Sequence, residues 1–271
     1  MSKEFKHMFA ICAYGESPFL EDAIKSLVAQ TKKSDIILST ATPNRYISNI
    51  CEKYSIPIVV TNSKPGIGPD WNFAMKSAEA DFVTLCHQDD ILNENYVESV
   101  LSAVNSDTII AFTDYCELRN DVYTESDTLL FVKRLMLFPF LIPFFKSFIF
   151  VRRFILSFGC PICCPSVCFN KNKLKDMEFD NSFKCNLDWD YWERASKLKG
   201  DFVYVPKRLL VHRIHEGSET TKLIANNTRG NEDLIMFERF WNKSIAKYLY
   251  SLYAKSQKSN KVELENEKKR I

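Results

Sequence analysis

The first 87 residues alternate between apolar, strand-like runs and helical segments with polar first turns. The segments follow one another, strand first, at residues 8–13, 18–28, 36–39, 44–54, 57–61, 69–78 and 82–87. A helix between consecutive strands favours parallel pairing, so the alternation predicts an α/β fold with a doubly wound, mostly parallel sheet and flanking helices. Ligands bind such sheets at the carboxyl ends of the strands, where Tyr14, Thr40 and Asp89 fall.

Composition favours one large core and excludes several classes of protein. The chain has 271 residues, of which 46% are hydrophobic, and a formal charge of +2. It is therefore neither disordered nor strongly attracted to polyanions, and no nucleic-acid partner is expected. Its nine cysteines are odd in number, several lie within apolar runs, and no signal peptide is recognised. These features predict a cytoplasmic protein with reduced thiols.

An acidic pair, Asp89 and Asp90, follows the apolar run at residues 82–87. Carboxylates at a strand end are hard ligands suited to Mg²⁺ or Mn²⁺, and a metal there neutralises a leaving diphosphate. The alternative is that the two acids only cap the next helix. Asn93 is a better cap for a helix that begins near Tyr96, which leaves the acids available for a metal.

A second acidic cluster, Asp188-Trp189-Asp190, opens a predicted helix. Asp188 has no obvious cationic partner, and a carboxylate in a partly apolar setting is suited to act as a general base. Trp189 and Trp192 are expected to supply that setting and to stack on a sugar ring. The alternative for the acids is compensation of the helix dipole, which is strong for Asp190 because Arg194 lies four residues further on.

The segment His212–Ser218 is predicted to be a loop rich in hydrogen-bond donors. One of its histidines, His212 or His215, is a candidate to complete the metal shell, and Arg213 is a candidate to neutralise phosphate. The alternative for each histidine is a structural role.

Other motif classes have little support. Cys160 and Cys163 have the C-x-x-C spacing of zinc ligands, but no second well-spaced pair accompanies them. There is no G-x-x-x-x-G-K-S/T loop, no G-x-G-x-x-G after the first strand and no G-x-S-x-G elbow.

Residues 129–158 are rich in Leu, Ile and Phe and contain prolines and cations. The longest apolar stretch is about as long as the ~17-residue lower limit for a membrane span. It contains Lys146 and two prolines that would break a helix. One interpretation is an interfacial segment with aromatics among lipid headgroups and cations on anionic lipid. The other is an insertion packed on the protein's own core or on a second subunit.

The remaining sequence continues with short elements and ends in a polar tail. Strands are predicted at residues 165–169, 202–205 and 209–212, helices at 187–199 and 233–255, and a solvated or frayed tail at 255–271.

Taken in order, these segments resemble the family 2 glycosyltransferases, inverting enzymes with the GT-A fold. Phe9–Tyr14 and Leu20–Thr31, with its run Ser-Leu-Val-Ala-Gln-Thr, are similar to the family's opening strand and helix. Val83–Asp90 is similar to the Asp-x-Asp region, Asn186–Arg194 to the Glu-Asp motif, and Arg213–Ser218 to a loop of bacterial members. The resemblance covers most of residues 6–220.

The resemblance implies an inverting, metal-dependent hexosyltransferase. Such an enzyme moves a sugar from a nucleotide-diphosphate sugar to a glycan or lipid-linked acceptor, here in bacterial capsule or lipopolysaccharide synthesis. The implied base is Asp188, and the implied cofactor is Mn²⁺ or Mg²⁺ on Asp90, Asp89 and His215. The implied donor contacts are Tyr14, Glu16, Thr40, Asn72, Gln88, Asp89 and Arg213, and the implied acceptor contacts are Trp189, Asp190 and Trp192.

The resemblance also suggests a division of the chain. Residues 1–220 form the GT-A domain, and residues 221–271 form a C-terminal helix and charged tail. Within the domain, residues 1–115 are the nucleotide-sugar-binding half, 129–158 the hydrophobic basic insertion and 160–220 the acceptor and catalytic half. Two roles of the insertion are left as alternatives: peripheral contact with the inner face of the cytoplasmic membrane, or contact with a second copy in a homo-oligomer.

Several positions depart from the family pattern. His87 replaces the first acid of the metal region, Leu187 replaces the glutamate before the base, and residues 39–42 replace an acidic pair that recognises the nucleobase. Trp71 stands where many members have an arginine, which leaves phosphate neutralisation to the metal and Arg213. The replaced acids at His87 and Thr40 motivate a rival hypothesis, a non-catalytic nucleotide-sugar-binding subunit of a membrane-associated glycan assembly complex. Retention of Asp188, Asp89 and Asp90 argues against it, since a pure binder does not need a base. A nucleotidyltransferase is a second rival, although it has less use for the second acidic cluster.

Overall fold

The computed structural model describes residues 4–119, 122–215 and 228–268, with side chains as far as residue 255. These residues form one mixed sheet of nine strands flanked by helices. In chain order the elements are β1 His7–Ala13, α1 Leu20–Val28, β2 Asp35–Thr40, α2 Arg45–Lys53, β3 Ile58–Val60, α3 Ile67–Ser77, β4 Phe82–His87, β5 Ile91–Leu92, α4 Tyr96–Ala103, β6 Thr108–Arg119, β7 Val122–Thr124, α5 Thr128–Leu137, α6 Ile149–Leu156, β8 Val167–Asn170, α7 Leu187–Ala195, β9 Asp201–Ile214, α8 Thr228–Glu238 and α9 Lys243–Lys268.

The first half of the sheet is parallel, which confirms the prediction from the alternating pattern. β1 lies between β2 and β4 and is parallel to both, and β3 is parallel to β2. The strand order is β3-β2-β1-β4-β8-β6-β9-β5, with β7 paired to β6. β8 is antiparallel to its neighbours β4 and β6, so the whole sheet is mixed. The predicted α/β fold is therefore confirmed.

Local sequence signals account for the first helices only in part. Asn44 caps α2, because its side-chain oxygen accepts a hydrogen bond from Ile47 N at 2.9 Å. α1 begins at Leu20, later than predicted, and Ser17 Oγ accepts from Phe19 N outside the helix. Val28 is exposed at the last turn of α1, whereas Leu20, Ile24 and Leu27 are buried.

The second half differs from the sequence prediction in two places. The two short strands predicted at residues 202–212 are one long strand, β9. Thr113 lies opposite Val205 and Asp114 lies opposite Arg208, so the two intervening residues of β9, including Pro206, form a bulge.

The predicted closing helix is two helices, α8 and α9. Both pack into the main core through Met236, Phe237 and Ala246. The backbone of α9 is helical to Lys268, so the tail is not frayed as far as that residue. Residues 269–271 lie outside the described part of the chain.

Residues 129–158 form α5, α6 and two short 3₁₀ turns between them, Phe138–Leu141 and Phe145–Ser147. Among the described residues, none of the helices has both the length and the apolar character that crossing a bilayer requires. One side of the segment packs on the protein's own core through Leu130, Leu137, Phe140, Ile155 and Leu156. The other side is exposed, and we call it the apolar face: Phe131, Val132, Leu135, Phe138, Leu141, Ile142, Phe144, Phe148, Ile149, Phe150, Phe154 and Phe158.

Most cations of this segment point toward the protein rather than outward. Arg134 pairs with Asp114 at 2.8 Å, Lys146 with Asp201 at 3.2 Å and Arg153 with Glu193 at 2.6 Å, and the fully buried Arg152 donates to the carbonyls of Leu198 and Gly200. These four cations anchor the segment. They do not form the outward-facing basic surface that the interfacial interpretation expected.

Candidate active site

The carboxyl ends of β1, β2 and β4 lie at one edge of the sheet, and strand pairing brings a distant segment to the same edge. β5 is antiparallel to β9, with Ile91 opposite Val211 and Leu92 opposite Leu210. This register places Asp90, just before β5, beside His212, although the two are 122 residues apart in the chain. His212 and Arg213 therefore belong to a strand and not to the predicted loop. Residues 216–218 of that loop lie outside the described residues.

The acidic pair is held by the end of β9. Asp90 is only 5% exposed, and its Oδ1 lies 2.9 Å from His212 Nδ1 and accepts a hydrogen bond from Arg213 N at 2.9 Å. Burial alone would raise the pKa of Asp90, but His212, with a contribution from His87, holds it well below its ordinary value. Burial alone would lower the pKa of His212, but Asp90 raises it to about 9. At neutral pH the two side chains therefore form an ion pair.

His87, Asp89 and Asp90 can together hold a divalent ion, because their ligand atoms all lie within 4.8 Å of one another. Asp90 Oδ2 and His87 Nε2 are buried, and neither atom has a hydrogen-bond partner among the described residues. The other ring nitrogen of His87, Nδ1, lies 3.4 Å from Asp90 Oδ2. The ring of Trp71 stacks on His87 at 5.1 Å and 17° and orients it. Two carboxylates and an imidazole suit Mn²⁺ or Mg²⁺, so the residues present fit the implied metal.

The histidine in this group differs from the one expected. His215 was the predicted metal ligand, and its Nε2 lies 3.1 Å from Asp89 Oδ2. His87, interpreted from the sequence as the loss of an acid, takes the position beside both carboxylates. A histidine three residues before an aspartate at a strand end was the sequence signal that could have pointed to it.

Several predicted donor contacts lie at this edge. The side chain of Tyr14 is 58% exposed, and its backbone N donates to Gln88 Oε1 at 2.9 Å. Arg213 Nε donates to the carbonyl of Asp89 at 3.1 Å, and its guanidinium lies 4.4 Å from the centroid of Phe19. Glu16 is exposed in the loop after β1. Tyr14, Glu16, Gln88, Asp89 and Arg213 are thus carried by loops and strand ends on the ligand-binding side of the sheet.

Thr40 and Asn72 depart from their expected roles. Thr40 is 1% exposed, and its hydroxyl accepts from Thr42 N at 3.0 Å, so it orders the loop after β2. Asn72 uses both ends of its amide on the backbone of Phe179, at 2.7 and 2.9 Å. Neither side chain is open to a nucleotide in this arrangement. Thr42, half-buried beside Gly15, is the more accessible hydroxyl.

Asp188 lies in the first turn of α7 and is half-buried. Its Oδ1 accepts from Trp189 N at 2.7 Å, and its Oδ2 lies 3.9 Å from Cys160 Sγ. Burial raises the pKa of the Asp188 carboxyl above its ordinary value. The hydrogen bond from Trp189 N and the charges of Arg229 and Lys133 only partly oppose that rise in pKa. A half-buried carboxylate with a raised pKa is suited to accept a proton.

The three neighbours of Asp188 depart from the expected acceptor role. Trp189 and Trp192 are fully buried, and Trp189 Nε1 donates to the carbonyl of Leu156 at 3.0 Å. Asp190 is also fully buried and pairs with Arg194 at 2.7 Å, as the four-residue spacing indicated, and with Arg239. These side chains turn into the core, so in this structure neither ring is available to stack on a sugar.

Burial likewise bears on the cysteines near Asp188. It raises the pKa values of Cys160, Cys163 and Cys164 well above the ordinary thiol value, so these thiols stay protonated.

Helix α8 holds the segment from which Asp188 projects, and the sequence did not indicate this. The carboxylate of Glu232 accepts hydrogen bonds from the backbone N of Lys184, Cys185 and Asn186 at 2.8, 2.8 and 2.9 Å. Asp233 Oδ1 accepts from Asn186 Nδ2 at 2.8 Å. The only sequence signal was a pair of adjacent acids in a helix that must pack on the core.

We expect Glu232→Gln to lower both stability and turnover. An amide presents one acceptor oxygen and an NH₂ group to three N–H donors, so at least one buried donor is left unpaired, at a cost of about 1–3 kcal/mol. The free energy of unfolding and the transfer rate should fall while nucleotide affinity is kept. Glu238→Gln, at an exposed position of the same helix, is the matched control. A variant as stable and as active as that control would show that the three hydrogen bonds do not position Asp188.

The mixed, mostly parallel α/β sheet with flanking helices is consistent with the GT-A glycosyltransferase fold. The sequence profile "Glycosyl transferase family 2" matches residues 8–177. The chain therefore belongs to glycosyl transferase family 2, and this membership supports a transferase that uses a nucleotide-sugar donor. No curated protein matches the chain.

Solved structures share the fold at low sequence identity. Residues 1–349 of S. aureus TarS are 13% identical, with a TM-score of 0.61 over 90% of this chain and 69% of that chain. The same protein in complex with UDP-GlcNAc is 14% identical, with a TM-score of 0.61 and coverage of 92% and 71%. The mannosyltransferase PcManGT from Pyrobaculum calidifontis, in complex with GDP-Man and Mn²⁺, is 11% identical, with a TM-score of 0.61 and coverage of 88% and 64%. The chain spans 42% of a longer TarS structure.

Proposed function

We propose that this chain is an inverting, metal-dependent hexosyltransferase of bacterial surface-polysaccharide synthesis, acting on a glycan or lipid-linked acceptor. The observation that carries the proposal is the group of His87, Asp89 and Asp90, whose ligand atoms lie within 4.8 Å of one another, with the half-buried carboxylate of Asp188 as the candidate base. The TarS complex with UDP-GlcNAc and the mannosyltransferase complex with GDP-Man and Mn²⁺ support a nucleotide-sugar donor and a divalent ion.

The mechanism is a single displacement at the anomeric carbon. The carboxylate of Asp188 takes the proton of the acceptor hydroxyl while the hydroxyl oxygen forms the new glycosidic bond and the bond to the diphosphate breaks. A divalent ion on His87, Asp89 and Asp90 would supply charge neutralisation for the diphosphate. Arg213 and the imidazolium of His212 add positive charge on the same side. Attack opposite the leaving group inverts the anomeric configuration.

The test is thermal stabilisation by a panel of nucleoside diphosphates and their sugars, with and without Mn²⁺. We expect one nucleotide to stabilise the protein only when metal is present, by about 2.7 kcal/mol at a hundredfold excess over its Kd. Products formed from that donor should carry a transferred sugar and not a transferred nucleotide. If no nucleotide stabilises the protein with or without metal, the donor site is contradicted.

We also propose that the apolar face meets the inner surface of the cytoplasmic membrane. Its phenylalanines are exposed, up to 75% for Phe150, and most of the segment's cations are paired inward. Binding should therefore depend on burial of apolar side chains more than on anionic lipid.

Co-sedimentation with liposomes tests this contact. We expect similar binding to neutral and anionic vesicles, and weaker binding after Phe150→Ser with Phe154→Ser. Tyr248→Ser, at an exposed aromatic of α9, is the control. If the unaltered chain ignores both vesicles and scatters light as a dimer that the double variant converts to a monomer, the apolar face binds a second copy.

A further inference from the structure

Lys133 differs from the other cations of its segment because it has no carboxylate partner. Its Nζ donates to Tyr115 Oη at 2.7 Å and lies 5.3 Å from the centre of that ring. Arg134, Lys146 and Arg153 pair with carboxylates, whereas no carboxylate oxygen of the described residues lies within salt-bridge distance of Lys133. A half-buried ammonium paired only with a phenol keeps hydrogen-bonding capacity for an anion.

Lys133 is linked by contact to the metal-capable group and by its charge to the candidate base. On one side, the ring of Tyr115 packs edge-on against His212 at 6.4 Å, and His212 pairs with Asp90. On the other side, the charge of Lys133 acts on Asp188 and on the buried thiols of Cys160 and Cys163. An acceptor hydroxyl that reaches Asp188 therefore brings its neighbouring groups close to this ammonium.

Arg229 of α8 is a second cation directed to the same place. Its Nε is buried and has no hydrogen-bond partner among the described residues, and its charge acts on Asp188. Tyr253 hydrogen-bonds to Arg229 and feels the charges of both Arg229 and Lys133. A buried guanidinium N–H without a partner is costly, and a bound anion would supply the missing acceptor.

Helix α5 connects Lys133 to the apolar face. Lys133 points inward, while Phe131 and Leu135, two residues on either side of it, are 61% and 62% exposed. A ligand with an anionic group beside Asp188 and a hydrocarbon chain along α5 would satisfy both surfaces of the helix. An aliphatic phosphate ester has this combination.

We propose that Lys133 and Arg229 bind the phosphate that links the acceptor sugar to an aliphatic chain, next to the hydroxyl that Asp188 deprotonates. The inference rests on the proposed function and specifies the chemical class of its acceptor.

The test is calorimetric binding of decyl phosphate, below its micelle concentration, to the full chain saturated with Mn²⁺ and the nucleoside diphosphate that the panel identifies. The bound nucleotide occupies the donor phosphate site, so the probe reports a second site. We expect decyl phosphate to bind more tightly than inorganic phosphate and than octyl glucoside.

Lys133→Met should weaken decyl phosphate binding about tenfold or more, because a charge-assisted hydrogen bond is lost. Lys146→Met, which breaks an ion pair in the same segment, is the control.

Two outcomes would overturn the inference. Unchanged decyl phosphate affinity in Lys133→Met would show that the ammonium does not bind the anion. Weaker nucleotide binding in that variant would assign Lys133 to the donor diphosphate instead. If Lys133→Met does not fold, two other variants test the proposal: Lys133→Arg should retain decyl phosphate binding, and Arg229→Gln should lose it. Loss of binding in Lys133→Arg together with retained binding in Arg229→Gln contradicts the proposal. A failure of the proposed function is distinguishable from a failure of this inference, because in the first case the unaltered protein does not bind a nucleotide.

Discussion

Asp188→Asn should reduce sugar transfer by about three orders of magnitude or more while leaving donor affinity unchanged. An amide of nearly the same shape still accepts the hydrogen bond from Trp189 N, but it does not take a proton from the acceptor hydroxyl. The measurement is the single-turnover rate of transfer at saturating donor, together with the Kd of the nucleotide. Asp176→Asn makes the same chemical change at an exposed position and serves as the control.

The pH dependence of the same reaction gives a second readout. Burial raises the pKa of Asp188, so the base protonates, and the rate falls, at a higher pH than for an ordinary aspartate. Residual transfer by Asp188→Asn should lack this acidic limb. Transfer undiminished in the variant would show that another group is the base. Nucleotide binding without transfer in the unaltered chain would favour a non-catalytic binding subunit.

Asp90→Ala should abolish the metal-dependent part of nucleotide binding. The change removes a carboxylate from the group with His87 and Asp89 and leaves the His212 charge unpaired. We expect nucleotide affinity in Mn²⁺ to fall about 100-fold or more, since even changes to groups behind metal ligands cost 10–100-fold. Calorimetry with the best nucleotide of the panel, with Mn²⁺ and with chelator, measures the effect.

Two further variants separate charge from structure at this position. Asp90→Asn can keep the hydrogen bond from Arg213 N and so tests the loss of charge alone. His87→Ala removes the third candidate ligand and should also weaken the metal effect. Metal-dependent affinity that is the same in Asp90→Ala as in the unaltered chain would exclude Asp90 as a ligand.

The parts of the site that the sequence predicted are those set by short-range patterns. The apolar periodicity of the first 87 residues placed Asp89 and Asp90 at the carboxyl end of a strand, and β4 ends there. Asp190 pairs with Arg194 as predicted, because this ion pair joins residues only four apart on one helix.

Helix faces were harder to assign because several faces of α7 are buried. Trp189 and Trp192 were expected to stack on a sugar ring, yet α6, α8 and the sheet cover them. Thr40 was expected to face a ligand, and the loop after β2 uses its hydroxyl instead. A local sequence pattern does not predict how many sides of a helix are covered by other elements.

The sequence by itself determined the α/β alternation, the strand-end acids and the family, because each depends on residue order over short spans. Only the tertiary structure decided which side chains from distant parts of the chain contact the strand-end acids and the segment before Asp188. The register of β5 on β9 brings His212 and Arg213 to the acids, and α8 brings Glu232 to the segment before Asp188. The packing of α5 turns Lys133 inward and leaves Phe131 and Leu135 exposed. These contacts join residues far apart in the chain, and their geometry follows from sheet register and helix packing, which no short stretch of sequence encodes.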